Sequence, residues 1–291
     1  MTQAKESELT LAPDGTLYHI RLSADTLADN VILVGDPERV NMFRPMMQHV
    51  EYENTNREMH TLTGSYHGQR LTVMSTGMGC DNIDIVMTEL DAAANMDLRR
   101  RCPREQHRTL NIIRIGTCGS LQAEADCGSL VASAYAIGMD GLLNYYAHDP
   151  ALLEQDLNRE FVAHMQFPTT LATPYSAQAS TRLLGAIAPT ALHGITATAP
   201  GFYAPQGRHV RIAPALPHLN EKLASFRWNG LAITNLEMET SAIYGMSRIM
   251  GHNALTVCLV IANRTRGTFL NDYHAPMRDA IGQVLDNLAK L

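Results

Sequence analysis

Apolar and polar positions along this chain follow two alternating periods. Short apolar runs closed by glycine or proline read as buried strands: Asn30–Val34 (NVILV), then 129–137, 193–199 and 255–262. The run at 111–122 (NIIRIGTCGSLQ) begins as such a strand and is expected to end in a glycine turn over 116–120. Helical spacing marks 81–98 through Ile85, Val86, Leu90, Ala93 and Ala94, and 180–188, which Pro189 ends. It marks the stretch after Glu239 through Ala242, Ile243, Met246, Ile249 and Met250, closed by Gly251, and the last segment, 272–291. Segments 61–66 and Gln69–Ser75 flank His67-Gly68 as a hairpin. Weak alternation over 17–22 predicts an edge strand, and 140–167 reads as mixed loop and helix. Asp36-Pro37 after the first strand suits an N-cap followed by the first helical residue.

Strands alternating with helices place the chain in the α/β class, with a mixed, largely parallel central sheet flanked by helices. No repeat, low-complexity tract or linker divides it, so one domain over 17–291 is expected behind a loose N-terminal arm, 1–16. Sites in such sheets gather at the carboxyl ends of strands. Gly35–Arg39, Gly77–Gly79, Arg114–Thr117 and Asn263-Arg264 all fall at predicted strand ends.

Composition narrows the function classes. The 291 residues are 45% hydrophobic and 18% charged, with net charge -6 and pI about 6.0; no basic excess points to nucleic acid or anionic membrane. The one basic cluster, Arg99, Arg100, Arg101, Arg104 and Arg108, reads as a solvated surface loop. Cys80, Cys102, Cys118, Cys127 and Cys258 show no paired spacing, which argues against a disulfide framework and a structural zinc site. No secretory leader is visible and no apolar run is long enough to span a bilayer, so the cytoplasm is the expected compartment.

Candidate chemistry sits at the strand ends. A guanidinium at Arg114 needs an anion, because an unpaired buried charge is costly. Beside it Thr117, Ser120 and open backbone N–H groups suit a phosphate, although an arginine paired with a buried carboxylate under an ordinary turn reads equally well. Gly35, Arg39 and Arg57 could join Arg114 and Thr117; alone, Arg39 reads as a surface helix residue and Arg57 as an exposed loop charge. Glu237 and Glu239 flank Met238 where a helix starts, so both can face a cleft and accept from vicinal hydroxyls, or simply complement the helix dipole. In the loop 201–210, GFYAPQGRHV, Gln206 and Arg208 offer an acceptor, an amide donor and a guanidinium that match the O–N–O edge of a uracil ring, with Phe202 placed to stack; a plain solvent loop is the alternative.

Six motifs in order decide among these readings. VILVGDPERV, STGMG, IIRIGTCGSLQ, GFYAPQGR, NLEMETSA and VCLVIANRTRG resemble the uridine phosphorylase branch of the hexameric-type nucleoside phosphorylases, from about residue 18 to 266. The resemblance implies a three-layer fold and reversible phosphorolysis of a nucleoside. It implies that Gly35, Arg39, Arg114 and Thr117 hold phosphate, with Arg57 reaching into a neighbouring subunit's site. Met238 and Glu239, with Glu237 beside them, would hold the ribose hydroxyls, and the neighbour's His19 the 5′-hydroxyl. Gln206 and Arg208 would read uracil against Phe202, with Arg264 behind the base. Arg114, Gln206, Arg208 and Glu239 would carry the catalysis. No cofactor is implied; phosphate is a co-substrate, and the partner is a second copy of the chain in at least a dimer and up to a hexamer.

The sequence also departs from the family pattern. Insertions lie before Asn111 and over 140–167, and some members are dimers. Ala204-Pro205 replaces Pro-Gly, and Cys80-Asp81-Asn82 replaces a Gly-Pro-Ser-like turn. That altered turn adjoins the position where some relatives hold a monovalent cation through a glutamate equivalent to Glu58. The rival activities are a purine nucleoside phosphorylase, a water-using nucleosidase and a non-catalytic nucleoside sensor. A purine enzyme would carry an aspartate where this chain has Asn263-Arg264.

Overall fold

The computed structural model describes residues 3–291; residues 1 and 2 of the expected arm lie outside it. Strand β1 (Asn30–Val34) feeds α1 (Pro37–Asn41), whose N-cap Asp36 accepts from the Glu38 N–H at 2.9 Å. Strands β2 (His49–Asn56), β3 (Met59–Tyr66) and β4 (Gln69–Ser75) make an antiparallel meander. Then come α2 (Cys80–Asn95) and the short strands β5 (Met96–Asp97) and β6 (Cys102–Pro103). The chain goes on through β7 (Asn111–Ser120), β8 (Leu130–Gly138), α3 (Gln155–Met165), β9 (Tyr175–Gln178), α4 (Thr181–Ile187) and β10 (Leu192–Thr198). It closes with α5 (Leu219–Ser225), β11 (Arg227–Trp228), β12 (Leu231–Glu237), α6 (Thr240–Met250), β13 (Asn253–Asn263), β14 (Thr268–Phe269) and α7 (His274–Leu288).

Twelve strands share one sheet, in the order β11-β12-β10-β8-β13-β7-β1-β4-β3-β2, with β9 on β8 and β14 on β13. Its centre is parallel: β1 lies between β4 and β7, β7 beside β13, and β10 between β8 and β12. The mixed sheet expected from the strand–helix alternation is therefore present, but it is less parallel than expected, with antiparallel pairs at its edges and between β13 and β8. Helix α7 buries Met277, Ile281, Val284, Leu285 and Leu288 in the main core, the face its spacing predicts.

Strand β7 overturns one expectation. Residues 116–120 are not a turn, because the strand runs straight through them. Its parallel register with β13 extends from Asn111↔Asn253 to Ser120↔Asn263, and its last residues also pair antiparallel with β12. That second pairing closes β7, β13, β8, β10 and β12 into a ring. Glycines inside a strand permit the bend that serving two partners demands. Arg114 consequently stands in mid-strand rather than at a strand end.

Three smaller expectations also change. The edge strand expected over 17–22 is a turn: the Arg21 N–H donates to Leu17 O at 3.0 Å, and Leu17, Ile20 and Leu22 face the core. Three inward apolar residues produced the apparent alternation. Strand β2 escapes a pattern reading because only Val50 and Tyr52 of HVEYENTN are apolar and its inward positions are only partly buried. The arginine cluster is only partly a solvated loop. Arg99 and Arg100 are exposed, but Arg108 donates to Asp29 Oδ1 at 2.6 Å and to Leu27 O at 2.7 Å. Arg101 donates to Leu9 O, and its own carbonyl accepts from the Ala4 N–H at 2.8 Å. The described part of the N-terminal segment is thus tied to this insertion.

Candidate active site

Four chain corners meet in one cavity of about 560 Å³. The register Leu33↔Arg114 brings the exit of β1, with Gly35 and Arg39, beside Arg114. The corner between β4 and α2 supplies Gly77 and Met78, and the corner between β12 and α6 supplies Glu237, Met238 and Glu239. The loop after β10 supplies Phe202, Gln206 and Arg208. Thr117 lines the cavity as well.

The inner wall is an ion cluster. Arg114 is buried and donates through Nη2 to Glu239 Oε2; its Nη1 lies 3.3 Å from Glu237 Oε2 and donates to Cys258 Sγ at 3.3 Å. Arg114 thus pairs with buried carboxylates, as one sequence reading expected, and also lines the cavity. Burial opposes its charge, but Glu239, Cys258 and Glu237 together raise it further above its already high ordinary value. Gly116, two residues along the same strand face, makes room for it. A Cβ there would lie 2.1 Å from Arg114 Nη1.

The two glutamates have different roles. Glu237 Oε1 accepts from the Thr198 hydroxyl at 2.7 Å, and Oε2 accepts the N–H groups of Glu239 at 3.0 Å and Thr240 at 2.9 Å. With Arg114 alongside, its lone pairs are almost all occupied, and it braces the strand-to-helix corner. Among the described residues, Glu239 accepts the Gly79 N–H, at 2.7 Å, and Arg114. It keeps a lone pair on each oxygen for a ligand hydroxyl. Burial, with the Glu237 carboxylate beside it, raises Glu239 above the ordinary carboxyl range in spite of Arg114.

Arg39 is buried beneath the β1 exit. Its Nη1 donates to Ile115 O at 3.3 Å, while its Nε has no partner among the described residues. A buried guanidinium with an open donor, next to Gly35 and Thr117, suits an oxyanion.

The outer wall is built differently. Arg208 stacks 3.7 Å from the centre of the half-exposed Phe202 ring, donates to Phe202 O, and donates to Gln206 Oε1 at 2.7 Å. Gln206 is buried, and its amide is fixed with the carbonyl toward Arg208. Arg264 does not line the cavity; it donates to Gln206 O at 3.3 Å from behind the loop. Burial, with Arg264 nearby, lowers Arg208 to about 10, which leaves it charged at neutral pH.

Two expected residues stand elsewhere. Arg57 is exposed at the β2–β3 turn with φ 55°, and His19 is held next to it, since Asn56 donates to His19 O at 2.8 Å. Both lie outside their own cavity on a single ridge, whereas Glu58 turns into the cavity wall. Ile261, Ala262 and Phe269 also line the cavity and were not anticipated. The apolar run at 255–262 and the first aromatic after it were their only signal.

Away from the cavity, Asp91, His107 and His252 bring possible ligand atoms within 4.8 Å of one another. The Leu110 N–H donates to His252 Nδ1 at 3.2 Å, which puts the ring proton on Nε2, facing Asp91 Oδ1 at 3.2 Å. A protonated ring nitrogen is a donor rather than a metal ligand, so this group reads as an acid–histidine contact.

Residues 29–290 match the model of the phosphorylase superfamily. A uridine phosphorylase of Thermococcus kodakarensis is 31% identical over 263 residues, covering 88% of this chain and 80% of its own length. A uridine phosphorylase of Haemophilus influenzae is 26% identical over 258 residues, covering 88% and 90%. The crystal structure of a Trypanosoma brucei nucleoside phosphorylase with uridine phosphorylase activity superposes with a TM-score of 0.86 at 30% identity, covering 97% of this chain and all of that one. With that match spanning the β1 exit, the Arg114 strand, the Gln206–Arg208 loop and the Glu237–Glu239 corner, the chain belongs to the phosphorylase superfamily.

Proposed function

We propose that this chain is a uridine phosphorylase: uridine and phosphate give uracil and ribose 1-phosphate, reversibly. The observation that carries the reading is the pairing of two walls in one cavity. Buried Arg39 and Arg114 stand at one end, and the fixed Gln206–Arg208 pair stands at the other. Glu239, paired with Arg114 on the inner wall, keeps lone pairs open for ribose hydroxyls. Loosening the glycosidic bond leaves charge on the uracil ring and a cationic sugar. Arg208 and the Gln206 amide stabilise the first, and phosphate stabilises the second before attacking C1′. Neither step uses a protein nucleophile. Positioning supplies much of the acceleration.

Asn263 favours a pyrimidine over a purine. Its amide donates to Gln122 O and Ala125 O, and its oxygen accepts from the Arg266 N–H. It is buried and fully engaged, so no side chain there can protonate a purine. Arg39 and Arg114 in the cavity speak against a water-using nucleosidase. His19 and Arg57, outside their own cavity, support a homo-oligomer of at least two copies in which each serves its neighbour. Five free cysteines suit a reducing cytoplasm, and no described helix is long and apolar enough to cross a membrane.

The test is uracil release from uridine, with inosine in parallel, each with and without phosphate. Phosphate-dependent release from uridine alone is expected. Release without phosphate would overturn the roles of Arg39 and Arg114, and turnover of inosine would overturn the reading of Gln206 and Arg208.

A further inference from the structure

One largely buried carboxylate has no part in the cavity and still makes four close contacts. Glu89 lies on α2, where its side chain is 12% exposed. It accepts the backbone N–H of His19 at 3.0 Å, that of Ile20 at 2.9 Å, and His19 Nδ1 at 2.6 Å, with a second approach of the His19 N–H at 3.3 Å. A carboxylate only accepts, so the imidazole proton of neutral His19 sits on Nδ1. Nε2 is then an acceptor on the outward edge of a ring that is 30% exposed. Asn56 fixes the other side of the same residue through His19 O and Tyr18 O.

We infer that Glu89 is a positioning residue for recognition of the nucleoside 5′-hydroxyl: it sets the orientation and the tautomer of His19, so that Nε2 accepts the hydroxyl proton. This rests on the reading in which His19 serves the neighbouring subunit's site. The turn over 17–22 has Arg21 in the left-handed region, with φ 56°, and includes no regular element that could aim the ring. The carboxylate substitutes for one by binding two consecutive backbone N–H groups and the ring together. The opposite end of α2 touches this subunit's own cavity, where the Gly79 N–H meets Glu239. One helix thus aligns a group for each of two sites.

The test is KM for uridine and for 5′-deoxyuridine at saturating phosphate, in wild type, H19A, E89A and E89Q, with thermal unfolding of each. In wild type, loss of the 5′-hydroxyl should raise KM by roughly 2- to 12-fold, the worth of one hydrogen bond. H19A and E89A should both bring that ratio close to one. E89Q still accepts the backbone N–H groups through its carbonyl, and its amide donates to Nδ1. The ring keeps its place with the proton moved to Nε2, and E89Q retains most of the ratio because a hydroxyl accepts as well as donates. A ratio untouched by H19A would sink the shared-site reading itself. A ratio lost in H19A but kept in E89A would sink the role of Glu89 alone, as would equal loss on both substrates. Should E89A fail to fold, nitrogen-15 resonances of the His19 ring, assigned by their absence from H19A, decide the matter. Protonated Nδ1 is expected, and a ring protonated on Nε2 instead overturns the inference.

Discussion

The two walls of the cavity are made of similar groups and held in opposite ways. On the inner wall, Arg114 on β7, Glu237 at the end of β12 and Glu239 at the start of α6 are buried and hydrogen-bonded to backbone and to one another. On the outer wall, Arg208 is half-buried on a loop, and its orientation comes from the exposed Phe202 ring and the Gln206 amide. The inner arrangement is fixed before any ligand arrives, which is what stabilising a developing charge requires. The outer arrangement rests on three neighbouring side chains in one loop, which suits a surface that has to admit and release a base. Burial thus separates the wall whose loss should damage both fold and chemistry from the wall whose loss should damage chemistry alone.

The strongest way to break this contrast is Arg114→Met. It strands Glu237 and Glu239 in the interior without their cation, and breaking a buried pair in this manner costs about 3–5 kcal/mol. The melting temperature should fall steeply, and kcat/KM should drop by at least the roughly 10²- to 10³-fold expected for one lost stabilising donor. A variant that keeps wild-type melting would refute the interdependence of the inner wall. Gly116→Ala is the next largest. Its Cβ, 2.1 Å from Arg114 Nη1, forces the guanidinium aside without deleting it. A displacement near 1 Å costs about 100-fold, and the loss should appear chiefly as a higher KM for phosphate. An unchanged phosphate KM would mean that Arg114 is not a phosphate ligand.

Gly116 also marks where the sequence ceases to be legible. Apolar runs located β1, β8, β10 and β13, because burying a strand on both faces leaves a continuous apolar signature. The same logic failed at residues 116–120, where two glycines and a serine look like a turn unless one knows that β12 approaches from the other side. That pairing spans 115 residues of sequence for Asn235 and Ser120, and no local pattern announces it. In the site, motif order placed Arg39, Arg114, Gln206, Arg208 and Glu239 together. The division of labour between Glu237 and Glu239 was not visible, because it depends on the Thr198 hydroxyl across a strand pair. Glu89 was hidden likewise: one of four acids on α2, it gives no hint that it meets a turn seventy residues earlier.

Arg208→Ala tests the outer wall. Hydrogen bonds to charged groups are worth about 1.5–3 kcal/mol, so kcat/KM for uridine should fall roughly 10- to 150-fold. Melting should stay much closer to wild type than in Arg114→Met, since no buried charge loses its partner; the group that gives up a hydrogen bond is the neutral Gln206 amide, which lines the cavity. If Arg208→Ala melts as low as Arg114→Met, the two walls are energetically alike and the contrast fails. If uridine turnover is untouched, the base assignment is wrong.

The smallest expected effect is a pH dependence that the inner wall should show and the outer wall should not. Burial and Glu237 hold the Glu239 carboxyl above its ordinary value of 4.5. In the window between that value and the raised folded one, the folded protein binds more protons at Glu239 than the unfolded chain does. Stability from this group is therefore largest below 4.5 and declines as pH rises through the window. Glu239→Gln removes the titration but keeps a carbonyl oxygen for the Gly79 N–H. The difference in melting temperature between Glu239→Gln and wild type should move in favour of the variant as pH increases across the window, and then level off. Arg208→Ala should show no such slope. A difference that moves the other way would mean that Arg114 dominates Glu239, and that the inner wall is held by one simple ion pair rather than by two carboxylates competing for one guanidinium.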